Sequence, residues 1–275
     1  MLEQLKYINH LNEVFEFGKD GIFVDSNDLH DYSWDVTKKN NRIAGFEYGI
    51  STRKLPVTII CDTASKGIEA RNRLYEVVEK DVLAKEHGKI VLGDYYFRCF
   101  VTKSQKKDYL LTKQHMKATL TLTTDFPYWI KESTFMFQAV AKSRAVNTFL
   151  DYSFDYPVDY TAGVTADDMA NTGFVGSNFR MVFYGPCSNP TVYIGGHKYQ
   201  VNCDVGAAEY LTVDSVKKQI ILTQNDGTTI SKFSDRNRDD YIFEKIPSGN
   251  NAVSWDGAFG FDVTLLEERS EPKWT

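Results

Sequence analysis

The chain has 275 residues, of which 42% are hydrophobic, 25% charged and 14% aromatic, with a formal net charge of −5. These values are ordinary for globular proteins and exclude bulk disorder, while the acidic balance argues against a duplex-binding surface. No run approaches the roughly 18 apolar residues of a membrane-spanning helix, so no membrane insertion is expected. The segment after Met1 is broken by Glu3, Lys6, Asn9 and His10, so no secretory signal is expected and the chain is read as made and folded in a cytoplasm.

Taken in order, the first half reads as strands around one helix. Tyr32, Trp34 and Val36 alternate with Ser33, Asp35 and Thr37, and Val57, Ile59 and Cys61 fall on one face of a β-branched run. The period then changes. Over 65–86, Ile68, Tyr75, Val78 and Val82 recur at helical spacing, with Leu74 flanking the stripe. Thr63 or Ser65 can cap the start, and Lys85, His87 and Gly88 form a basic, glycine-terminated end. Glu69, Arg71, Arg73, Glu76, Glu79 and Lys80 lie outward, so a surface helix on a sheet is expected.

Strand patterning resumes at Tyr95, Phe97, Cys99 and Val101, and returns at Met116, Ala118, Leu120 and Leu122. Together with the lysines between them (Lys103, Lys106, Lys107 and Lys113), these segments read as a long hairpin over 95–124 with a basic tip. A domain boundary is placed near residue 145. The second half alternates short strands with turn signals: Phe179, Met181 and Phe183, then Gly185-Pro186, Asn189-Pro190 and Gly195-Gly196. Leu211 and Val213, Ile220 and Leu222, and the turn Asn225-Asp226-Gly227 follow. Trp255, Phe259, Phe261, Val263 and Leu265 then alternate with polar residues as in a closing half-buried strand. The fold class is mainly β with one helix: an N-terminal sheet domain over 1–145 and an antiparallel β-sandwich over 146–275.

Chemistry is sparse. The chain has no G-x-S-x-G, H-E-x-x-H, P-loop or G-x-G-x-x-G pattern, and its five histidines sit in no acid–base motif. Cys187, His197 and Cys203 lack paired metal-ligand spacing, and Cys61, Cys99 and Cys203 read as small core residues. Asp235, Asn237 and Asp239 begin like a calcium loop, which fails at Asp240, where Gly is needed, and at Ile246, where Glu is needed. Asp155 with Asp159 and Asp167 with Asp168 are carboxylate pairs of the kind common in turns. Trp34, Trp129 and Trp255 have the chemistry to stack on a sugar, though aromatic residues in alternating phase are usually core. No catalytic residue, cofactor site or metal site is assigned, and no enzymatic activity is expected.

Five short segments carry a resemblance. They are Phe154-Asp155-Tyr156-Pro157, Ser177-Asn178-Phe179-Arg180-Met181, Tyr184-Gly185 followed by Asn189-Pro190, Gly249 to Trp255, and Arg269-Ser270-Glu271-Pro272-Lys273-Trp274. In order and spacing the chain resembles the distal tail (Dit) proteins of long, non-contractile-tailed phages. The resemblance implies an N-terminal domain that closes into a ring, usually a hexamer, and an outer galectin-like sandwich. It implies a structural protein of the virion tail tip or baseplate. Its partners would be further copies of itself, the tail tube, the tape measure, and tail-fibre or receptor-binding proteins. DNA would only pass through the lumen, which suits an acidic chain. On this resemblance the 95–124 hairpin would be a belt that adds its edge to the next subunit's sheet. The competing reading is a non-enzymatic carbohydrate-binding β-sandwich protein.

Overall fold

In a computed structural model, residues 5–19, 21–107, 114–140 and 165–273 are described. The chain divides into two compact units: Met1–Lys131 with Glu268–Thr275, and Glu132–Glu267. The boundary expected near residue 145 lies outside the described residues, as do Phe154 to Pro157, Asp159, Lys113 and Trp274.

Unit 1 contains strands β1 (Leu5–Ile8), β2 (Val14–Glu16), β3 (Ile22–Val24), β4 (Asp35–Lys39), β5 (Arg42–Glu47) and β6 (Ser51–Ile60). Helix α1 (Ala64–Ala84) follows, then β7 (Gly88–Leu92), β8 (Tyr95–Lys107), β9 (His115–Thr124) and the start of β10 (Trp129–Phe137). All pairings are antiparallel. One run is β2-β1-β7-β8, and the other is β8-β9-β6-β3. Strand β8 belongs to both because its ladder slips between Val101 and Lys103, and such bulges bend a strand and re-aim it. The alternations expected from sequence hold here: Tyr95, Phe97, Cys99 and Val101 are buried, as are Met116, Ala118, Leu120 and Leu122.

The helix buries a different stripe from the one its apolar residues suggest. Gly67, Ala70, Leu74, Val77, Val78 and Asp81 face inward, whereas Ile68 and Val82 are exposed. An aspartate replaces a valine in the core because its partners wait there. The Tyr7 hydroxyl donates to Asp81 Oδ2 at 2.5 Å, and the His10 backbone N–H donates to Oδ1 at 2.9 Å. His10 Nδ1 stands 2.5 Å from the same oxygen. Both carboxylate oxygens are thereby satisfied, as burial of a charge requires. Gly88 leaves room for the cluster, since a Cβ there would run into Asp81 and Tyr7. Thr63 caps the helix by accepting from the Lys66 N–H, and Lys85 closes it in the left-handed region at φ 59.

A second buried charge lies under the sheets. Arg53, 3% exposed, donates to the Leu29 carbonyl and lies 4.3 Å from the ring centroid of Phe97 and 6.0 Å from that of Trp129. Its desolvation holds the guanidinium below its usual range. Trp129 Nε1 shares the same carbonyl at 3.2 Å.

Unit 2 holds β11 (Thr165–Asn171), β12 (Asn178–Tyr184), β13 (Cys187–Ser188), β14 (Thr191–Ile194), β15 (His197–Gln200) and β16 (Asp204–Val205). It continues with β17 (Tyr210–Asp214), β18 (Gln219–Thr223), β19 (Thr229–Ser231), β20 (Gly249–Trp255) and β21 (Phe261–Arg269). Two antiparallel sheets, β19-β18-β17-β12-β21 and β11-β20-β14-β15, share one apolar core. Phe179, Met181, Phe183, Val263 and Leu265 come from the first sheet, and Val192, Ile194, Tyr199, Val253 and Trp255 from the second. The protein is therefore mainly β with a sandwich core. The single closing strand expected from Trp255 to Leu265 is instead the end of β20, a turn at Gly257 (φ 72), and β21 in the other sheet. The residues nevertheless meet, with Trp255 and Phe261 edge to face at 5.2 Å.

Replacing Asp81 with Ala leaves the Tyr7 hydroxyl and the His10 N–H buried without their acceptor. It is expected to cost about 3 kcal/mol, read as a lower urea midpoint at unchanged slope. Gly88→Ala is expected to destabilise in the same direction by displacing the carboxylate.

Candidate assembly interface

Strands β4 and β5 form a two-stranded sheet of their own. Their turn is Asn40-Asn41, both at positive φ (51 and 58), a conformation that asparagine tolerates and that matches the twist of a two-residue hairpin loop. Val36 pairs with Phe46, and two residues further along the same face Lys38 pairs with Ile43 past a bulge. Val36, Ile43 and Phe46 are 43%, 62% and 58% exposed. The turn end carries Lys38, Lys39 and Arg42, and the root carries Asp35 opposite Glu47. No ion pair ties Lys38, Lys39 or Arg42 to another described side chain.

A lone hairpin is at best marginally stable in water. This one is held at its root. Trp34 stacks on Tyr48 at 3.9 Å and meets the edge of Phe46 at 6.3 Å, while Tyr48 packs edge to face on Tyr128 at 4.9 Å. Tyr48 also shares a 2.6 Å hydrogen bond with Ser270. Burial raises the Tyr48 hydroxyl above its ordinary range despite that bond. The strand expected from Tyr32 to Val36 thus begins only at Asp35, and Tyr32 and Trp34 precede it on the surface. The result is an arm with a fixed base, an apolar face and a cationic end.

The 95–124 hairpin has a different setting. β9 is hydrogen-bonded to β6 on one side over its whole length and to β8 on the other, so it presents no free edge. Next to it, Ser104 donates to the Tyr75 hydroxyl at 3.1 Å, and Lys106 Nζ lies 4.5 Å from the Tyr75 ring centroid. Residues 108–113, between β8 and β9 in sequence, lie outside the described residues.

The other residues singled out from the sequence are dispersed. His197 Nε2 is 3.0 Å from the Tyr241 carbonyl, its ring packed on Tyr199. Cys187 and Cys203 lie near neighbouring strands β13 and β16, and neither is in a disulfide. Asp235 pairs with Lys232 at 3.3 Å, and Asn237 is turned toward Asp240 at 3.2 Å. Asp167 and Asp168 are exposed on β11, while Trp129 and Trp255 are core. Among the described residues no group of three or more His, Cys, Asp or Glu is placed to hold a metal ion, and no helix is long and apolar enough to cross a membrane. The hairpin was missed in the sequence because its apolar residues are interrupted by Lys38, Lys39 and Arg42. The Asn40-Asn41 pair was the available signal.

The geometry defines a class: among the described residues, an antiparallel β protein in two units, with one α-helix, a separate hairpin and a sandwich. No protein-family model and no curated protein matches the chain. Solved structures do. The SPP1 Dit (gp 19.1) protein, described as a hub adsorption apparatus of phages infecting Gram-positive bacteria, aligns with a TM-score of 0.59 at 10% identity over 98% of this chain and 100% of that one. A chain of the phage P2 baseplate in its activated conformation with Ca aligns with a TM-score of 0.64 at 8% identity, covering 99% and 100%. The same baseplate with Sr gives 0.63 at 8% identity with the same coverage. The chain has the fold of the distal tail proteins over nearly its whole length.

Two measurements test this description. Trypsin is expected to cut the free chain first after Lys38, Lys39 or Arg42. Trp34→Ala should accelerate that cut while lowering global stability by only about 1 kcal/mol, the scale of one aromatic stack. Burial pushes the Cys99 thiol up to about 12 and the Cys187 thiol up to about 11. At mildly alkaline pH an alkylating reagent should therefore reach the half-buried Cys61 in the folded chain and Cys99 only after unfolding, as mass spectrometry would read.

Proposed function

We propose that this chain is a structural subunit of a siphovirus-type phage tail, a hub that joins the tail tube to the baseplate or tail tip in the virion. The observation that carries the reading is the fold match over 98–99% of the chain to the SPP1 hub protein and to a chain of the P2 baseplate. Copies of the chain assemble into a ring, and unit 2 offers the outer surface on which tail-fibre or receptor-binding proteins dock. The absence of assigned catalytic groups from the sequence fits a non-enzymatic role.

The hairpin β4–β5 supports the assembly. Fully burying a Val, Ile or Phe side chain contributes roughly 1.5–3 kcal/mol, and these three are already about half covered, so together they supply on the order of 3 kcal/mol. That is below the roughly 4–15 kcal/mol that association costs. One arm therefore does not hold a dimer. A head-to-tail ring changes the balance, because each subunit both gives and receives an arm and closure adds a second contact without a second loss of free motion.

Light scattering coupled to size exclusion across a concentration series, with negative-stain imaging of the largest species, tests the reading. Rings with a central hole are expected, with trypsin sites at Lys38, Lys39 and Arg42 protected in the ring fraction. A chain that stays monomeric at every concentration, with the hairpin cut at an unchanged rate, overturns it.

A further inference from the structure

The segment Arg269-Ser270-Glu271-Pro272-Lys273 has so far been given no task. Strand β21 pairs with β12 from Phe261 to Leu266, in unit 2, and the chain enters unit 1 at Glu268. Past Arg269 it belongs to no strand. It is packed down all the same: Ser270 and Glu271 are half-buried and Pro272 is buried.

Its polar contacts converge on the two feet of the β4–β5 hairpin, the segments by which the chain enters and leaves it. On the leaving side, Tyr48 directly follows β5, and its hydroxyl shares the 2.6 Å hydrogen bond with Ser270. On the entering side, His30 lies upstream of β4, and its Nδ1 stands 3.5 Å from Glu271 Oε1. Two adjacent residues therefore touch both feet. The hairpin is a sheet of its own, so no ladder to another strand sets its direction. Its other holds differ in kind. The rings of Trp34 and Tyr128 lie against Tyr48 at 3.9 and 4.9 Å, and the Leu29 carbonyl accepts from Arg53 and Trp129. Ring contacts tolerate a range of offsets and tilts, whereas a hydrogen bond weakens steeply off its axis. We propose that Ser270 and Glu271 form a clamp on both feet of the hairpin, which sets the direction of the arm and can release it without unfolding either core. Because the clamp continues directly from β21, displacement of that strand's end reaches the arm through two side chains. The clamp belongs to a single chain, so it stands or falls independently of ring assembly.

The test uses the free chain at concentrations where it is monomeric, with limited trypsin digestion and hydrogen exchange read by mass spectrometry. In Ser270→Ala/Glu271→Ala, cleavage after Lys38, Lys39 or Arg42 is expected to quicken about tenfold, because the cut rate follows the population of the open hairpin and directional contacts have been lost. Exchange should quicken within residues 35–47 and stay unchanged in β6 to β9 and in unit 2. Tyr48→Phe removes the Ser270 bond from the other side while keeping the ring. It should match Ser270→Ala alone, and the two together should add nothing further, as expected when both delete one interaction. Unchanged cleavage and exchange in the double alanine variant overturn the proposal. So does faster exchange spread through the whole of unit 1, which marks general destabilisation, and so do additive effects of Tyr48→Phe and Ser270→Ala.

Discussion

The rest of unit 1 depends on one strand serving two ladders. β8 pairs with β7 from Tyr95 to Cys99 and with β9 from Phe100 onward, and the slip between Val101 and Lys103 turns it from one to the other. Without that bend, the two runs of strands would be one long flat sheet with edges open at both ends, a template for indiscriminate pairing. With it, Phe97 and Cys99 point into a common interior with Leu55, Leu120 and Leu122. The helix covers that interior, and its Leu74 and Val77 belong to the same core.

Both units combine an apolar core with a few satisfied polar groups; in unit 2 the buried Glu267 accepts from the Thr172 hydroxyl at 2.6 Å. Unit 2 relies on apolar side chains from two facing sheets, with aromatic contacts such as Phe137 on Phe261 at 4.7 Å and Phe179 on Tyr199 at 5.3 Å. Its buried amide Asn171 is satisfied by the carbonyls of Ile246 and Pro247, which fastens the turn after β11. Unit 1 buries two charges. Asp81 is held by hydrogen bonds from β1 and the turn after it, and Arg53 by aromatic faces and a carbonyl. Buried polar groups of this kind contribute little net stability over an apolar replacement, yet they penalise every arrangement in which their partners are missing. We read them as the means by which β1, α1 and β6 take one register.

Unit 1 leaves one hairpin outside its two ladders. Antiparallel pairing occupies both sides of β9, and Tyr75 holds Ser104 and Lys106 of β8. The hairpin β4–β5 forms a two-stranded sheet of its own, with Trp34, Tyr48 and Tyr128 packed at its root and Tyr48 bonded to Ser270. An arm with a rigid base loses less conformational freedom on docking than a flexible loop would. On α1, Lys66 pairs with Asp62, Lys80 with Glu13, and Arg73 donates to the Val14 carbonyl.

Much of this was legible in the amino-acid order. Strand alternation at Tyr95–Val101, Met116–Leu122 and Phe179–Phe183 predicts the buried faces seen, because a two-residue period is a local property of extended backbone. The helix is equally visible, through its 3.6-residue period and the Thr63 cap. Its phase was not, since Asp81 is apolar to no scale and goes inside only because Tyr7 and His10, more than seventy positions away, supply hydrogen bonds. Nor was the splitting of the Trp255–Leu265 alternation between two sheets, because alternation specifies a face and not which sheet owns it. The sequence by itself determined a mainly β protein with one helix and an antiparallel sandwich in its second half. Only the tertiary structure decided which apolar and charged residues remain outside, since exposure at Val36, Phe46 and Glu76 depends on where distant strands have already closed their hydrogen bonds.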